Sequence, residues 1–195
     1  MEEPQGEAYV SRGGHKLASV ADKLHLRFAG SVVLDVGSST GGFTDYVLQH
    51  GARKVIAVDA GKNQLHASLR KHPYIELHEQ TDIRDIPQLS ENPDFVVIDV
   101  SFISLREVLP SIGLLSGPGT LIVAMCKPQF EVKGDDQKHR GIIKNERMRR
   151  DILKDFETWA QRSFVIVDKA DSGVHGTYGN HERFYALRKQ VTSNT

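Results

Sequence analysis

Seven short apolar runs alternate along the chain with stretches of helical period. The runs are Val32–Val36, Lys54–Asp59, Tyr74–Leu77, Phe95–Asp99, Thr120–Cys126, Phe164–Val167 and Glu182–Leu187. Short runs rich in β-branched side chains, bounded by Gly or Pro, read as strands buried on both faces of a parallel sheet. Tyr74–Leu77 is the weakest of them. Between the runs, apolar residues recur three and four positions apart. Leu17, Val20, Ala21 and Leu24 predict a helix that starts near Gly14. Phe43, Tyr46 and Val47 share a face of a second, with Gly51 as its C-cap. Leu65–Arg70 predicts a short third helix. Ser104-Leu-Arg-Glu107 reads as a capping box ahead of Leu105, Val108, Leu109 and Ile112, and Gly117-Pro118 stops that helix. A helix beginning near Asn145 carries Met148, Ile152, Phe156 and Trp159 on its core face. Phe130–Gly141 and the Gly-rich Ser172–Asn180 are loops. The alternation predicts an α/β fold: a doubly wound, seven-stranded, mostly parallel sheet with helices on both faces. A chain of 195 residues predicts one domain, with residues 1–10 a loose lead-in.

Composition narrows this picture. Cys126 is the single cysteine, so no internal disulfide can form, which accords with a reducing, cytoplasmic setting. The nine histidines and one cysteine show no metal-ligand spacing, and no metal is expected. The most apolar run, Leu121–Cys126, is far short of the ~20 residues a membrane helix needs. Met1-Glu2-Glu3-Pro4 is acidic and does not read as a leader. Net charge is zero but segregated. Tyr9–Arg27 holds four Lys/Arg and one acid, Lys133–Lys154 eight and four, and Glu76–Glu107 two and eight. A neutral chain with this arrangement can present a basic face to an anionic partner.

The chemistry centres on Val32–Phe43, a strand, a tight loop and the start of a helix. That geometry aims backbone N–H groups and the positive end of a helix at a ligand. A dinucleotide would want Gly-x-Gly-x-x-Gly; Ser38 falls at the first x, and Ser39 breaks the pattern by standing where its second Gly should be. Asp35, inside the strand and close to the loop, suits a ligand with an ammonium group and no phosphate. S-adenosylmethionine is such a ligand. Its expected cradle is Gly37, Ser38, Ser39, Thr40, Gly41, Gly42 and Phe43. Asp59, 22 residues past Gly37, ends the second strand, where an acid can accept from both ribose hydroxyls. Asp82 is either a group near the adenine edge or a plain turn acid. Asp99 and Lys127 close the fourth and fifth strands at the same carboxyl edge, where ligands bind in such sheets. A lysine closing a buried strand is costly unless paired or used. Arg12, His15 and Lys16 crowd a helix N-terminus and oppose its dipole by ~0.3–1 kcal/mol each, which stability alone does not explain.

Five motifs then occur in order. They are Tyr9-Val-Ser-Arg-Gly-Gly-His-Lys-Leu17, Leu34-Asp-Val-Gly-Ser-Ser-Thr-Gly-Gly-Phe-Thr-Asp45, Asp99-Val-Ser-Phe-Ile-Ser-Leu105, Lys127-Pro-Gln-Phe-Glu131 and Gly179-Asn-His-Glu182. With them the chain resembles, from about Tyr9 to Arg188, the TlyA-type family of FtsJ-like RNA methyltransferases, often labelled hemolysins. The resemblance implies a Rossmann-like methyltransferase fold with S-adenosylmethionine as donor. It implies transfer to a ribose 2′-hydroxyl of ribosomal RNA, at cytidine, with ribosomal RNA or a ribosomal subunit as partner. It implies a Lys-Asp-Lys-Glu tetrad at Lys16, Asp99, Lys127 and Glu182, with Lys127 as proton acceptor. Asp99 would orient a lysine, and Glu182 would fix the second lysine or the ribose. Family members carry an N-terminal S4-type RNA-binding domain, for which the few residues before Tyr9 leave no room. A non-catalytic, donor-binding ribosome factor is the main rival reading. A membrane-lytic role would need a basic amphipathic helix that the sequence does not show.

Overall fold

The computed structural model describes residues 9–132, 141–143, 145–176 and 179–190. Most of the expected lead-in (1–8), most of the basic loop (133–140) and two residues of the Gly-rich loop (177–178) lie outside these. The strands are β1 (Val32–Val36), β2 (Lys54–Val58), β3 (Ile75–His78), β4 (Phe95–Ile98), β5 (Leu121–Cys126), β6 (Phe164–Asp171) and β7 (Arg183–Lys189). The helices are α1 (Arg12–Ala21), α2 (Gly42–Gln49), α3 (Leu105–Leu115), the single turn α4 (Pro128–Glu131) and α5 (Glu146–Ala160).

All five residues of β1 are buried, which is why the strand reads as an almost unbroken apolar run. It lies inside a sheet of order β3-β2-β1-β4-β5-β7-β6. The pairs β1/β2, β2/β3, β1/β4 and β4/β5 are parallel, and β7 runs antiparallel to both β5 and β6. The strand order therefore reverses between β1 and β4. Alternate β1 residues serve two cores. Val32, Leu34 and Val36 pack with Leu105, Leu109, Ile112 and Phe156 of α3 and α5. Val33 packs with Leu17, Val20, Phe43 and Val47 of α1 and α2 on the other face. Helices cover both faces, as the alternation predicts.

Four local expectations need correcting. Leu65–Arg70 forms turns rather than a helix; Leu65 and Leu69 instead wedge against the loop before α2. The helix placed near Gly14 begins at Arg12, with Ser11 as N-cap. Strand β6 runs to Asp171, four residues past the apolar run. It is an edge strand with alternating burial, and β7 pairs its polar half past an irregularity at Ile166/Asp168. Finally, α5 buries Arg149, Leu153, Phe156 and Ala160, one position round from the expected Met148 and Ile152. Arg149 turns inward because its guanidinium has partners there: Asp171 at 2.6 Å and the His181 carbonyl at 3.0 Å. Trp159 stays partly buried at the core margin. Pro128 ends β5 as expected and also takes the first position of α4, where its missing N–H does no harm. Among the described residues, no helix is long and apolar enough to cross a membrane.

Candidate active site

The turn after β1 is shaped by close approach. Gly37 has φ +78°, and a Cβ there would stand 2.6 Å from the Asp99 carbonyl. Glycine is thus required on conformational and steric grounds together. The amides of Gly37 and Ser38 donate to the Val58 carbonyl at 2.9 and 3.2 Å, fastening the turn to the end of β2. At Gly42 a Cβ would lie 2.8 Å from Gly14 N and nearer still to Ser11 Oγ, so α2 begins against the start of α1. Asp59 is held by two backbone donors, Ser39 N and Gly61 N, each at 2.7 Å. Its carboxylate faces a cavity of about 530 Å³, an ordinary size for a small-ligand site.

Of the residues expected to hold the donor, Gly37, Ser39, Asp59, Asp82 and Asp99 line that cavity. The others stand behind it. Asp35 is wholly buried and accepts from Thr44 Oγ1 at 2.6 Å. Burial is the main cause that pushes its carboxyl up to about 7, against the Thr44 hydrogen bond; the charges of Asp99 and Asp59 add to the rise. Ser38 is buried, the Thr40 carbonyl accepts from His66 N, and Gly41 lies under Leu65 and Leu69. Phe43 packs into the core beside Phe184. The Asp82 carboxylate caps the short turn Ile83–Asp85 and is gripped by the Arg84 guanidinium, which holds its pKa below the usual carboxylate range. Sequence reasoning missed Gln64, Ser101 and Phe102, which also line the cavity. Ser101 and Phe102 lay within a recognised motif, but no residue type marked them as walls.

The strand register brings three of the four expected catalytic residues to one edge. Ile98 pairs with Ala124, and Cys126 with Arg183, so Asp99, Lys127 and Glu182 flank adjacent strand ends. Lys16 arrives from α1. The four form two ion pairs. Lys127 Nζ is 2.6 Å from Asp99 Oδ1, and Lys16 Nζ is 2.7 Å from Glu182 Oε2. Neither oxygen has a hydrogen bond of good angle despite these distances, so both contacts are charge to charge. Lys127 Nζ does donate to Ser101 Oγ at 2.7 Å. The lysine side chains are about nine-tenths buried and Glu182 is deeper still. Such pairs add little net stability because desolvation offsets their attraction. Of the four residues Asp99 lines the cavity; Lys127 stands against that wall through Asp99 and Ser101, and the Lys16–Glu182 pair is not part of the lining.

The helix after Asp99 is not capped by a full capping box. Ser104 Oγ accepts from Arg106 N at 3.1 Å, but Glu107 reaches toward Arg84 at 3.6 Å. The carboxylate that serves this helix is Glu131, buried at the end of α4. Burial is the main cause that raises its pKa. No group of three or more His, Cys, Asp or Glu could hold a metal among the described residues.

The polar atoms at the turn fit an S-adenosylmethionine-sized ligand. Asp59 offers a fixed carboxylate at the cavity wall, and behind that wall Asp35 Oδ1 and Ser38 Oγ are buried without partners. The fold is that of solved S-adenosylmethionine-dependent methyltransferases. The sequence profile described as FtsJ-like methyltransferase matches residues 9–189. YqxC of Bacillus subtilis is 38% identical over 178 residues; the match covers 89% of this chain and 63% of that protein. The 16S/23S rRNA (cytidine-2′-O)-methyltransferase TlyA of Mycobacterium tuberculosis is 38% identical over 187 residues, covering 94% of this chain and 70% of that one. A solved hemolysin-labelled protein from Streptococcus thermophilus superposes with a TM-score of 0.90 at 36% identity, over 96% of this chain and 70% of that one. With that profile spanning the turn, both ion pairs and the whole sheet, the chain belongs to the FtsJ-like methyltransferase family.

Proposed function

We propose that this chain methylates a ribose 2′-hydroxyl of ribosomal RNA, at cytidine, with S-adenosylmethionine as donor, and acts in the cytoplasm where that RNA resides. The observation that carries the reading is the Lys127–Asp99 pair, 2.6 Å apart, beside a cavity that the Gly37 turn also lines. When bound, the donor supplies a methyl group on a sulfonium centre. Asp59 would hold its nucleoside at the cavity wall beside Gly37 and Ser39, and Asp35 lies beneath. The RNA ribose enters beside Lys127. For the hydroxyl oxygen to take the methyl group its proton must pass to a base: Lys127 Nζ would first release the proton that pairs it with Asp99 and would then receive the hydroxyl proton. Asp99 then neutralises the resulting ammonium. Lys16 and Glu182 border the ribose as a balanced pair and exclude water. Alignment within ~3–3.5 Å of the reacting atoms supplies the rest of the rate.

Incubation of ribosomal RNA or subunits with labelled donor, followed by mass mapping, tests this. Label on a ribose oxygen is expected, and a 2′-deoxy substitution at the target nucleotide abolishes it. Lys127→Ala lowers turnover by ~10²–10⁴-fold, the range of general base catalysis, with donor affinity little changed. Label on a base, or near-native turnover by Lys127→Ala, refutes the reading.

A further inference from the structure

Lys127 and Asp99 stand on segments that leave the sheet separately. One turns into α4 and ends at Glu131; the other passes Ser101 and Phe102 to Ser104, the N-cap of α3. Glu131 closes these segments into a ring. Its carboxylate, on a residue only 3% exposed, accepts from Ser104 Oγ at 2.6 Å, Leu105 N at 2.7 Å and Arg106 Nε at 3.2 Å. Arg106 extends the brace to α5: its Nη2 reaches Asp155 at 2.9 Å, and its guanidinium lies 5.8 and 5.7 Å from the rings of Phe156 and Trp159. Halfway round the ring, Phe102 and Phe130 touch at 5.3 Å. Phe102 has φ +65°, an uncommon backbone conformation for a bulky residue, while its side chain stays largely exposed. A Ser N-cap by itself needs no buried carboxylate, whose desolvation is costly unless several donors converge on it.

We infer that Glu131 is a positioning residue for methyl transfer: it sets the spacing of Lys127 and Asp99 by tying the turn after one to the loop after the other. The inference rests on the reading of Lys127 as proton acceptor. Glu131→Gln keeps the shape but turns one acceptor oxygen into a donor facing Ser104 and Arg106. The expected result is a kcat lowered ~10–100-fold, as misplacement by about 1 Å does, with the RNA KM and donor affinity within about twofold. In a Lys127→Ala background the same change adds no further loss, since both act through one group. An unchanged kcat, or the full loss repeated in that background, overturns the inference.

A second measurement does not depend on turnover. Limited acetylation of the folded chain, read by peptide mass mapping, modifies Lys127 severalfold faster in Glu131→Gln, because its amine is no longer held against Asp99. An unaltered rate also overturns the inference. Should the native chain methylate no RNA, the functional reading fails, and the acetylation rate still decides the role of Glu131. If Glu131→Gln does not fold, Ser104→Ala removes one donor from the same carboxylate. It moves kcat and acetylation in the same directions by less, and no movement in either counts against the inference.

Discussion

Asp35 combines the sequence's plainest anomaly with the structure's clearest electrostatic consequence. A carboxylate inside a β-branched run is conspicuous, and its neighbouring loop made it a candidate for touching the ligand. The fold puts it one layer down, wholly buried and hydrogen-bonded to Thr44. Its folded pKa of about 7 stands above the ordinary 3.8, so between those values the folded chain holds a proton that the unfolded chain has lost. Stability contributed by that proton is therefore lost as pH rises toward 7, and the loss levels off above it. Asp35→Asn stays neutral throughout. Urea unfolding should show the native chain losing roughly 3 kcal/mol relative to Asp35→Asn between pH 5 and 8. Parallel stability curves would contradict the burial argument. Lys127 was equally legible, since a strand-ending lysine needs a partner. Glu131 was not: its neighbours in sequence say nothing of a helix that begins 26 residues earlier.

Elements were readable wherever a single period dominated. The five buried residues of β1 and the stripe of α3 announced themselves. Where a long-range partner outweighed local pattern, the reading slipped. Arg149 rotates α5 by one position because its ion pair with Asp171 is available only in the folded sheet. Leu65–Arg70 has helical spacing, yet its leucines are spent against the turn before α2. The same crowding governs the seam between α1 and α2. A Cβ at Gly42 would meet Gly14 N at 2.8 Å and Gly13 Cα at 2.9 Å, atoms that cannot swing aside. Gly42→Ala should destabilise the chain by about 1–3 kcal/mol, lowering Tm by roughly 2–4 °C per kcal/mol. A thermal melt matching the native one would show that the helices can part.

At the scale of the whole molecule, the Lys16–Glu182 pair joins the first helix to the last strand across 166 residues. Both side chains are buried, so removal of one leaves an uncompensated charge. Lys16→Met alone should cost about 3–5 kcal/mol of stability, and Lys16→Met with Glu182→Gln should recover most of it. Methyl transfer should stay low in both. If denaturant unfolding showed the two losses simply adding, the pair would not be coupled.

The sequence by itself determined the class of sheet, the strand ends and the residues carrying charge at them, because burial on both faces and turn chemistry are local in origin. It also marked out the loop after β1, whose glycines are dictated by backbone approach. Only the tertiary structure decided which charges meet. Strand register set Lys127 against Asp99, helix packing brought Lys16 of α1 against Glu182 and Glu131 of α4 under α3, and burial within the sheet left Asp35 behind the cavity rather than on its wall. Such pairings depend on contacts between residues far apart in the chain, and the energy of a buried charge is set by the partner that folding delivers to it.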